Sequence, residues 1–363
     1  MDRWPAAARF AAGWATRVDM LAALGPLTAA EHRRQVHERA RLGAERAGRV
    51  YEWIWRDAAA ELGAEVSERG PGSLELSLNG RTARVERQVT GIDEVPAVER
   101  SRDRAAVQAR LRELGLAVPP YVEFAPSAPR PALAFLAVGG PCVVKPGSGT
   151  GAGYGVTCGV RSRHDLVRAS LEAARHAGRL LLERQAPGAM YRILVLDGEV
   201  VATVRRDPPH LVGDGSSSVA DLVLAENRRR LAAGGYAGLS ALRIDLDLLF
   251  TLKASRRVLR TIVPAGERIA VKTSSSDAGT ADNEPQDAVG DELAAEAVAA
   301  TSAAGLRLAG VDVVTPDPGR GLTAAGGALV EVNATPGLHH HYLVRDSART
   351  QRVAVTVLRR LLG

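Results

Sequence analysis

The sequence predicts an α+β or mixed α/β protein, on three observations. Short apolar runs with strand character, such as Cys142-Val143-Val144-Lys145 and Gly310-Val311-Asp312-Val313-Val314, recur between segments that carry helix caps. Their junctions are rich in glycine, which makes up 37 of the 363 residues. The longest apolar runs, 132–138 and 193–196, fall far short of the roughly 20 residues that a membrane-spanning helix needs.

The elements follow in order. Residues 28–62 read as helix, opened by the capping box Thr28-x-x-Glu31, in which a hydroxyl and a carboxylate each satisfy one free backbone N–H. Six of the fourteen aromatic residues (Trp4, Phe10, Trp14, Tyr51, Trp53, Trp55) lie in the first 55 positions, which predicts a small core belonging to this region. Leu74-x-Leu76-x-Leu78 alternates into Asn79-Gly80 and then 82–89, a hairpin signal. Residues 103–114 read as helix closed by Gly115, and 126–131, with three prolines, as a loop. Two short strands, 142–145 and 156–160, bracket a glycine-rich loop. Ser162-Arg163-His164-Asp165 opens a helix to Gly178, 180–183 is a buried strand, and 191–196 with 199–204 form a hairpin around Asp197-Gly198. Ser218-x-x-Asp221 opens a helix through Leu231, 292–304 is a helix stopped by Gly305, and 310–314 and 328–332 are the last strands.

With 46% hydrophobic and 24% charged residues the chain excludes disorder, and its length suits one large or two to three ordinary domains. The start, Met1-Asp2-Arg3-Trp4-Pro5, has no signal-peptide character, so the cytoplasm is the expected compartment. Cys142 and Cys158 each sit in a strand-like run and read as buried free thiols. The net charge of +6 raises nucleic-acid binding, but arginine alternates with Glu and Asp instead of clustering, which argues against it. Of the 47 basic residues only Lys145, Lys253 and Lys272 are lysine, so a compact ammonium is the reading at those positions.

Lys145 leads into Pro146-Gly147-Ser148-Gly149-Thr150-Gly151-Ala152-Gly153-Tyr154-Gly155, five glycines in nine residues. No Gly-Lys-[Ser/Thr] follows, so this is not a Walker A loop, and Val156-Thr157-Cys158-Gly159-Val160 reads as strand, which excludes a dinucleotide fingerprint. What remains is a hairpin whose glycine loop folds over a nucleotide, with Lys145 toward the phosphates. Asp312, Glu331 and Asn333 interrupt two apolar strands; Glu331 and Asn333 share a face, and three hard oxygen donors suit Mg²⁺. In His339-His340-His341 adjacent side chains on an extended chain diverge, which argues against a shared metal ion.

Lys145-Pro146 with its loop, Tyr191-Arg192-Ile193-Leu194-Val195, Val212-Gly213-Asp214-Gly215, Ala309-Gly310-Val311-Asp312 and Glu331-Val332-Asn333-Ala334-Thr335-Pro336-Gly337 occur in the order found in the ATP-grasp carboxylate–amine ligases. From about Val85 onward the chain resembles that family, and is most similar to the ATP-grasp module of the cyanophycin synthetases. The resemblance implies an ATP-grasp fold, two α+β subdomains clamping ATP, behind a helical and hairpin N-terminal domain. The expected boundaries are 1–100, 101–186 and 187–363.

It also implies ATP-dependent joining of a small-molecule carboxylate to an amine through an acyl phosphate, with Mg²⁺ or Mn²⁺, releasing ADP and phosphate. Arg104 stands where the family has lysine and would contact phosphate with Lys145, Gly151, Gly153, Tyr154 and Gly155. Glu183 leads into a hinge where backbone around Arg184–Ala186 would read adenine, and Met190 stands where an acid often holds the ribose. Arg192, Arg206 and His210 match positions near the reacting groups, Lys272 and Ser276 a polar loop beside the acyl site, and His341 a histidine past Pro336-Gly337. Asp312, Glu331 and Asn333 would hold the metal. The chain ends at Gly363, without the second ligase domain that follows in cyanophycin synthetase, so a stand-alone ligase of dipeptide or specialised-metabolite synthesis is expected. No nucleic-acid or membrane partner is expected, and a homo-oligomer is compatible with this reading. The alternative is a non-catalytic ATP-binding scaffold or regulator of the same fold.

Overall fold

The computed structural model describes residues 24–148, 153–233 and 241–363. The first long element is helix Pro26–Leu62, preceded by Gly25 and closed by Gly63 at φ 70°. The capping box expected at Thr28 does not form: Pro26 takes the first turn, where a missing N–H costs nothing, and no side chain caps the start. An antiparallel sheet follows, β1 (Glu65–Gly70), β2 (Ser73–Leu78) and β3 (Arg81–Glu86). Its second turn is the expected Asn79-Gly80, with both residues at positive φ.

Asp103 accepts a hydrogen bond from the Ala106 N–H and opens helix Arg104–Glu113. Four antiparallel strands, β4 (Tyr121–Phe124), β5 (Cys142–Pro146), β6 (Thr157–Val160) and β7 (Leu180–Arg184), form a sheet in the order β4-β7-β5-β6. Helix Arg130–Ala137 starts inside the segment expected to be loop, with Pro131 in its first turn, and helix Arg163–Ala173 stops short of Gly178. Both pack on this sheet together with helix Leu246–Ala254, around Phe124, Leu136, Leu166, Leu182 and Phe250. Cys142 and Cys158 are buried and free.

The central sheet contains β8 (Ala189–Leu196) and β9 (Glu199–Arg206), joined at Asp197-Gly198. A separate pair, β10 (His210–Val212) and β11 (Arg268–Ala270), lies beside helix Val219–Ala232, where Ser218 and Asp221 form a full capping box. With β12 (Asn283–Gln286), β13 (Leu308–Thr315) and β14 (Ala328–Asn333), the central sheet runs β12-β9-β8-β13-β14.

Strand alternation gives this sheet two unlike faces. Tyr191, Ile193, Val195, Ala309, Val311 and Val313 pack on Leu293, Ala297 and Ala300 of helix Asp291–Ala303. The opposite face is apolar at one end, where Leu194, Leu196 and Leu308 lie under Tyr51, Ile54 and Trp55 of helix Pro26–Leu62 and Val357 and Leu358 of helix Val353–Leu362. At its other end the same face presents Met190, Arg192, Asp312 and Glu331. Among the described residues the expected N-terminal core is not a separate one: Tyr51 and Trp55 belong to a core shared with the central sheet and the C-terminal helix. Trp4, Phe10 and Trp14 lie outside the described residues. Among the described residues no helix is long and apolar enough to cross a membrane.

Trp55 is fully buried and donates its indole N–H to the Arg87 carbonyl at 2.8 Å. Trp55→Ala is expected to cost about 3–5 kcal/mol. Because the core is shared, urea unfolding of this variant followed by fluorescence and by far-UV circular dichroism should give coincident transitions; early release of the hairpin alone would contradict the shared core.

Candidate active site

A cleft of about 680 Å³ is lined by both larger sheets, with Val143, Lys145, Cys158 and Glu183 on one side and Met190, Arg192, Arg206, Asp312 and Glu331 on the other. Three of these are register partners across the central sheet: Asp312 stands opposite Arg192 on β8 and opposite Glu331 on β14. Arg192 grips Asp312 with two bonds, Nε to Oδ1 at 2.5 Å and Nη2 to Oδ2 at 2.7 Å, and both side chains are buried. Arg104, from the start of helix Arg104–Glu113, reaches across to Glu331, with Nη2 and Nε at 2.7 and 3.0 Å from Oε1. The facing sheet repeats the theme: Lys145 Nζ lies 2.6 Å from Glu183 Oε2, which also accepts from Gln108, and 3.3 Å from the Val330 carbonyl oxygen.

Arg206 is different. Its Nε is buried without a partner, and only a 3.5 Å contact to the Ser275 carbonyl is made by Nη2. Burial and the neighbouring Arg192 pull it down to about 10, which still leaves it charged at neutral pH. A half-buried guanidinium whose Nε is left without a partner at a cleft wall is a ready partner for an anion.

Asp312, Glu331 and Asn333 meet at the strand pair β13–β14, and Asn333 Nδ2 lies 3.4 Å from Asp312 Oδ2. The Nδ2 group donates to the Gly310 carbonyl at 3.2 Å, which leaves Oδ1 as the donor atom that Asn333 can offer a cation; with the two carboxylates the set is all oxygen, and this chemistry fits Mg²⁺ or Mn²⁺. Both carboxylates already hold guanidinium partners, and among the described residues no cluster of three His, Cys, Asp or Glu forms an alternative metal site.

Of the other residues singled out in the sequence, Gly153, Arg184, Ala186 and Ser276 line the cleft. The Arg184 side chain turns outward to the carbonyls of Gly139, Gly140 and Phe135, leaving its backbone at the hinge. Met190 lines the cleft and takes a 2.7 Å contact from the Ser275 hydroxyl. Gly151 lies outside the described residues. Tyr154 and Gly155 do not line the cleft; Tyr154 is half exposed, with Arg243 stacked 4.3 Å over its ring.

Three candidate catalytic residues are not in the cleft wall. His210 is tied into the β10–β11 pair. Lys272 is completely buried, 2.6 and 2.8 Å from Asp245 and Asp277, and burial, which would lower its pKa, is outweighed by these carboxylates. It braces the loop that presents Ser274–Ser276. His341 points into the core and bonds Gln351 at 2.9 Å. The run expected to be extended is instead the helical turn His339–Tyr342, which puts His339 and His340 at the cleft. Tyr51 and Gln88 also line it and were not anticipated.

No family model matches the sequence. The fold is the ATP-grasp fold: the structure superposes on a bifunctional glutathione synthetase from Pasteurella multocida with a TM-score of 0.52 and 24% identity, covering 82% of this chain and 42% of that one. In sequence the chain is similar to cyanophycin synthetase of Nostoc sp., 30% identical over 308 residues, 79% of this chain and 34% of that protein. It is also 29% identical over 229 residues to the glutathione biosynthesis bifunctional protein GshAB of Enterococcus faecalis, covering 60% and 30% respectively. The chain thus spans about a third of the length of these curated relatives.

Burial, with Arg206 and Arg192, lowers His339 to about 3, and burial lowers His341 to about 4. An unfolded histidine takes a proton near 6.5, so the unfolded chain binds more protons between about pH 6.5 and 4. Stability is therefore expected to fall as pH drops through that window, by up to about 1.4 kcal/mol per pH unit per histidine. Urea midpoints at pH 7 and 5 measure this, and His341→Gln should shrink the difference.

Proposed function

We propose that the chain is an ATP-dependent ligase that activates a carboxylate as its acyl phosphate and joins it to an amine, releasing ADP and phosphate. The observation that carries this is the charge row Arg192–Asp312–Glu331–Arg104 facing Lys145 across a cleft of nucleotide size. Its likeness to proteins named for cyanophycin and glutathione synthesis supports the same reaction class.

Carboxylate attack on a γ-phosphate brings anions together, so the protein must neutralise and align. Lys145 and Arg104 are placed for phosphate oxygens, and the unmet donor of Arg206 for a substrate carboxylate. Backbone at Arg184–Ala186 forms the edge where a base would be read, beside Met190. Asp312, Glu331 and Asn333 would hold a divalent ion, which would supply charge neutralisation for the phosphates. The walls of Val143, Val156, Val314 and Leu343 exclude water from a reactive anhydride. The substrates are an amino acid or small metabolite and an amine, and two buried free thiols favour a reducing compartment such as the cytoplasm.

One observation favours a non-catalytic nucleotide-binding protein: both carboxylates already hold guanidinium partners. That reading predicts ATP binding without ADP release for every substrate pair.

The discriminating experiment screens amino acids with ATP, Mg²⁺ and hydroxylamine in place of the amine. The true donor should yield a hydroxamate with ADP, and AMP as product would refute the mechanism. Lys145→Ala should lose hydroxamate and amide formation together, and Glu331→Ala should lower divalent-dependent turnover at least about 100-fold.

A further inference from the structure

Helix Pro26–Leu62 sends one polar side chain into the cleft wall. Tyr51 is 2% exposed, and its hydroxyl lies 2.9 Å from Nδ1 of His339, 288 residues away in sequence. The two rings meet edge-on, with centroids 5.7 Å apart and planes at 80°. His339 and His340 stand 4.0 Å apart at the cleft, and Gly337 leaves them that room: a Cβ there would lie 2.7 Å from Cε1 of His339 and 3.1 Å from Cδ2 of His340. Burial and the cations Arg192 and Arg206 keep both imidazoles neutral.

A neutral imidazole has one donor and one acceptor nitrogen, and its partners decide which is which. Burial keeps Tyr51 protonated, and among the described residues His339 Nδ1 is the hydrogen-bond partner of its hydroxyl. The hydroxyl proton is then directed to Nδ1, which leaves the ring hydrogen on Nε2.

We propose that Tyr51 is a positioning residue that locks His339 as the neutral Nε2–H tautomer, so that the imidazole serves the cleft as an uncharged hydrogen-bond donor and not as a base. The catalytic part of this rests on the ligase reading. When the amine nitrogen adds to the acyl carbon, the carbonyl π pair moves onto oxygen. That pair re-forms the carbonyl as the C–O bond to phosphate breaks, phosphate leaves with the bonding electrons, and the surplus proton on nitrogen passes to the departing phosphate. A donor beside Arg192 and Arg206 stabilises the oxygen while it carries charge, without competing with them for a proton.

The test uses the full chain with ¹⁵N-labelled histidine, the His339 signals being identified by their loss in His339→Gln. Wild type should show Nδ1 as the unprotonated nitrogen and Nε2 as the protonated one, and Tyr51→Phe should give a mixture of tautomers. A proton on Nδ1 in wild type, or an unchanged tautomer in Tyr51→Phe, overturns the positioning role. In turnover, Tyr51→Phe should lower kcat about tenfold and change KM for ATP by less than about twofold. His339→Gln, whose amide N–H replaces Nε2–H, should retain most of the activity that His339→Ala loses, and adding Tyr51→Phe to it should change nothing further. Equal loss in His339→Gln and His339→Ala would assign the ring as a base and overturn the donor role. If wild type releases no ADP with any donor, the ligase reading and with it the catalytic role fail, while the tautomer measurement still decides what Tyr51 does. Thermal melts of each variant separate these outcomes from misfolding.

Discussion

The buried pair of Arg192 and Asp312 is the constraint on which the site depends. Two charges removed from water repay their desolvation only with well-aligned bonds, and removing either partner strands the other. The pair also leaves β8 and β13 no freedom of register, because a slip of one strand by one residue would turn its charge onto the face that packs against Leu293 and Ala297 and strand the other. Gly310 makes the pairing possible. A Cβ at that position would lie 2.8 Å from Cδ of Arg192 and 3.0 Å from Pro336, so the guanidinium occupies the space that a side chain would take.

From that pair the cleft is assembled by opposition of charge. Glu331 inherits its place from Asp312 through strand register, and Arg104 reaches it from a helix outside the central sheet. Lys145 and Glu183 repeat the arrangement on β5 and β7. Arg104, Lys145 and Arg192 are thus each held by an acid at the cleft, whereas Arg206 is not. An incoming polyanion meets side chains whose geometry is already set, and ordering them costs little at the moment of binding.

The strands that cross the core were legible because they are apolar on both faces, as in Leu180–Glu183 and Gly310–Val314, and Ser218-x-x-Asp221 was legible because its capping box is entirely local. Thr28-x-x-Glu31 has the same signature but lost to Pro26, which is the better first-turn residue. Strand β1, Glu-Val-Ser-Glu-Arg-Gly, is a polar edge with no alternation to read. Helix Leu246–Ala254 was missed because it is buried between two clusters and has no polar face to mark a period. In the site, the strand-borne oxygen donors were visible since strand parity places Glu331 and Asn333 by arithmetic. His339 was passed over for His341 because the family resemblance pointed to position 341, whereas the backbone makes a helical turn that puts His339 at the cleft. Tyr51 was invisible for another reason: among Ile54, Trp55 and Ala58 it reads as one more core residue, and its partner lies nearly the whole chain away.

One face of the central sheet is divided between an apolar half under helix Pro26–Leu62 and a charged half left open, and Tyr51 marks the border. The helix therefore works as a ruler. Sliding it by one turn would move that border by about 5.4 Å, roughly the reach of a short side chain, without altering Arg104, Lys145 or Arg192. The size of molecule admitted at that end of the cleft is written in the phase of a helix, and a change there resizes the opening while leaving the charged half untouched.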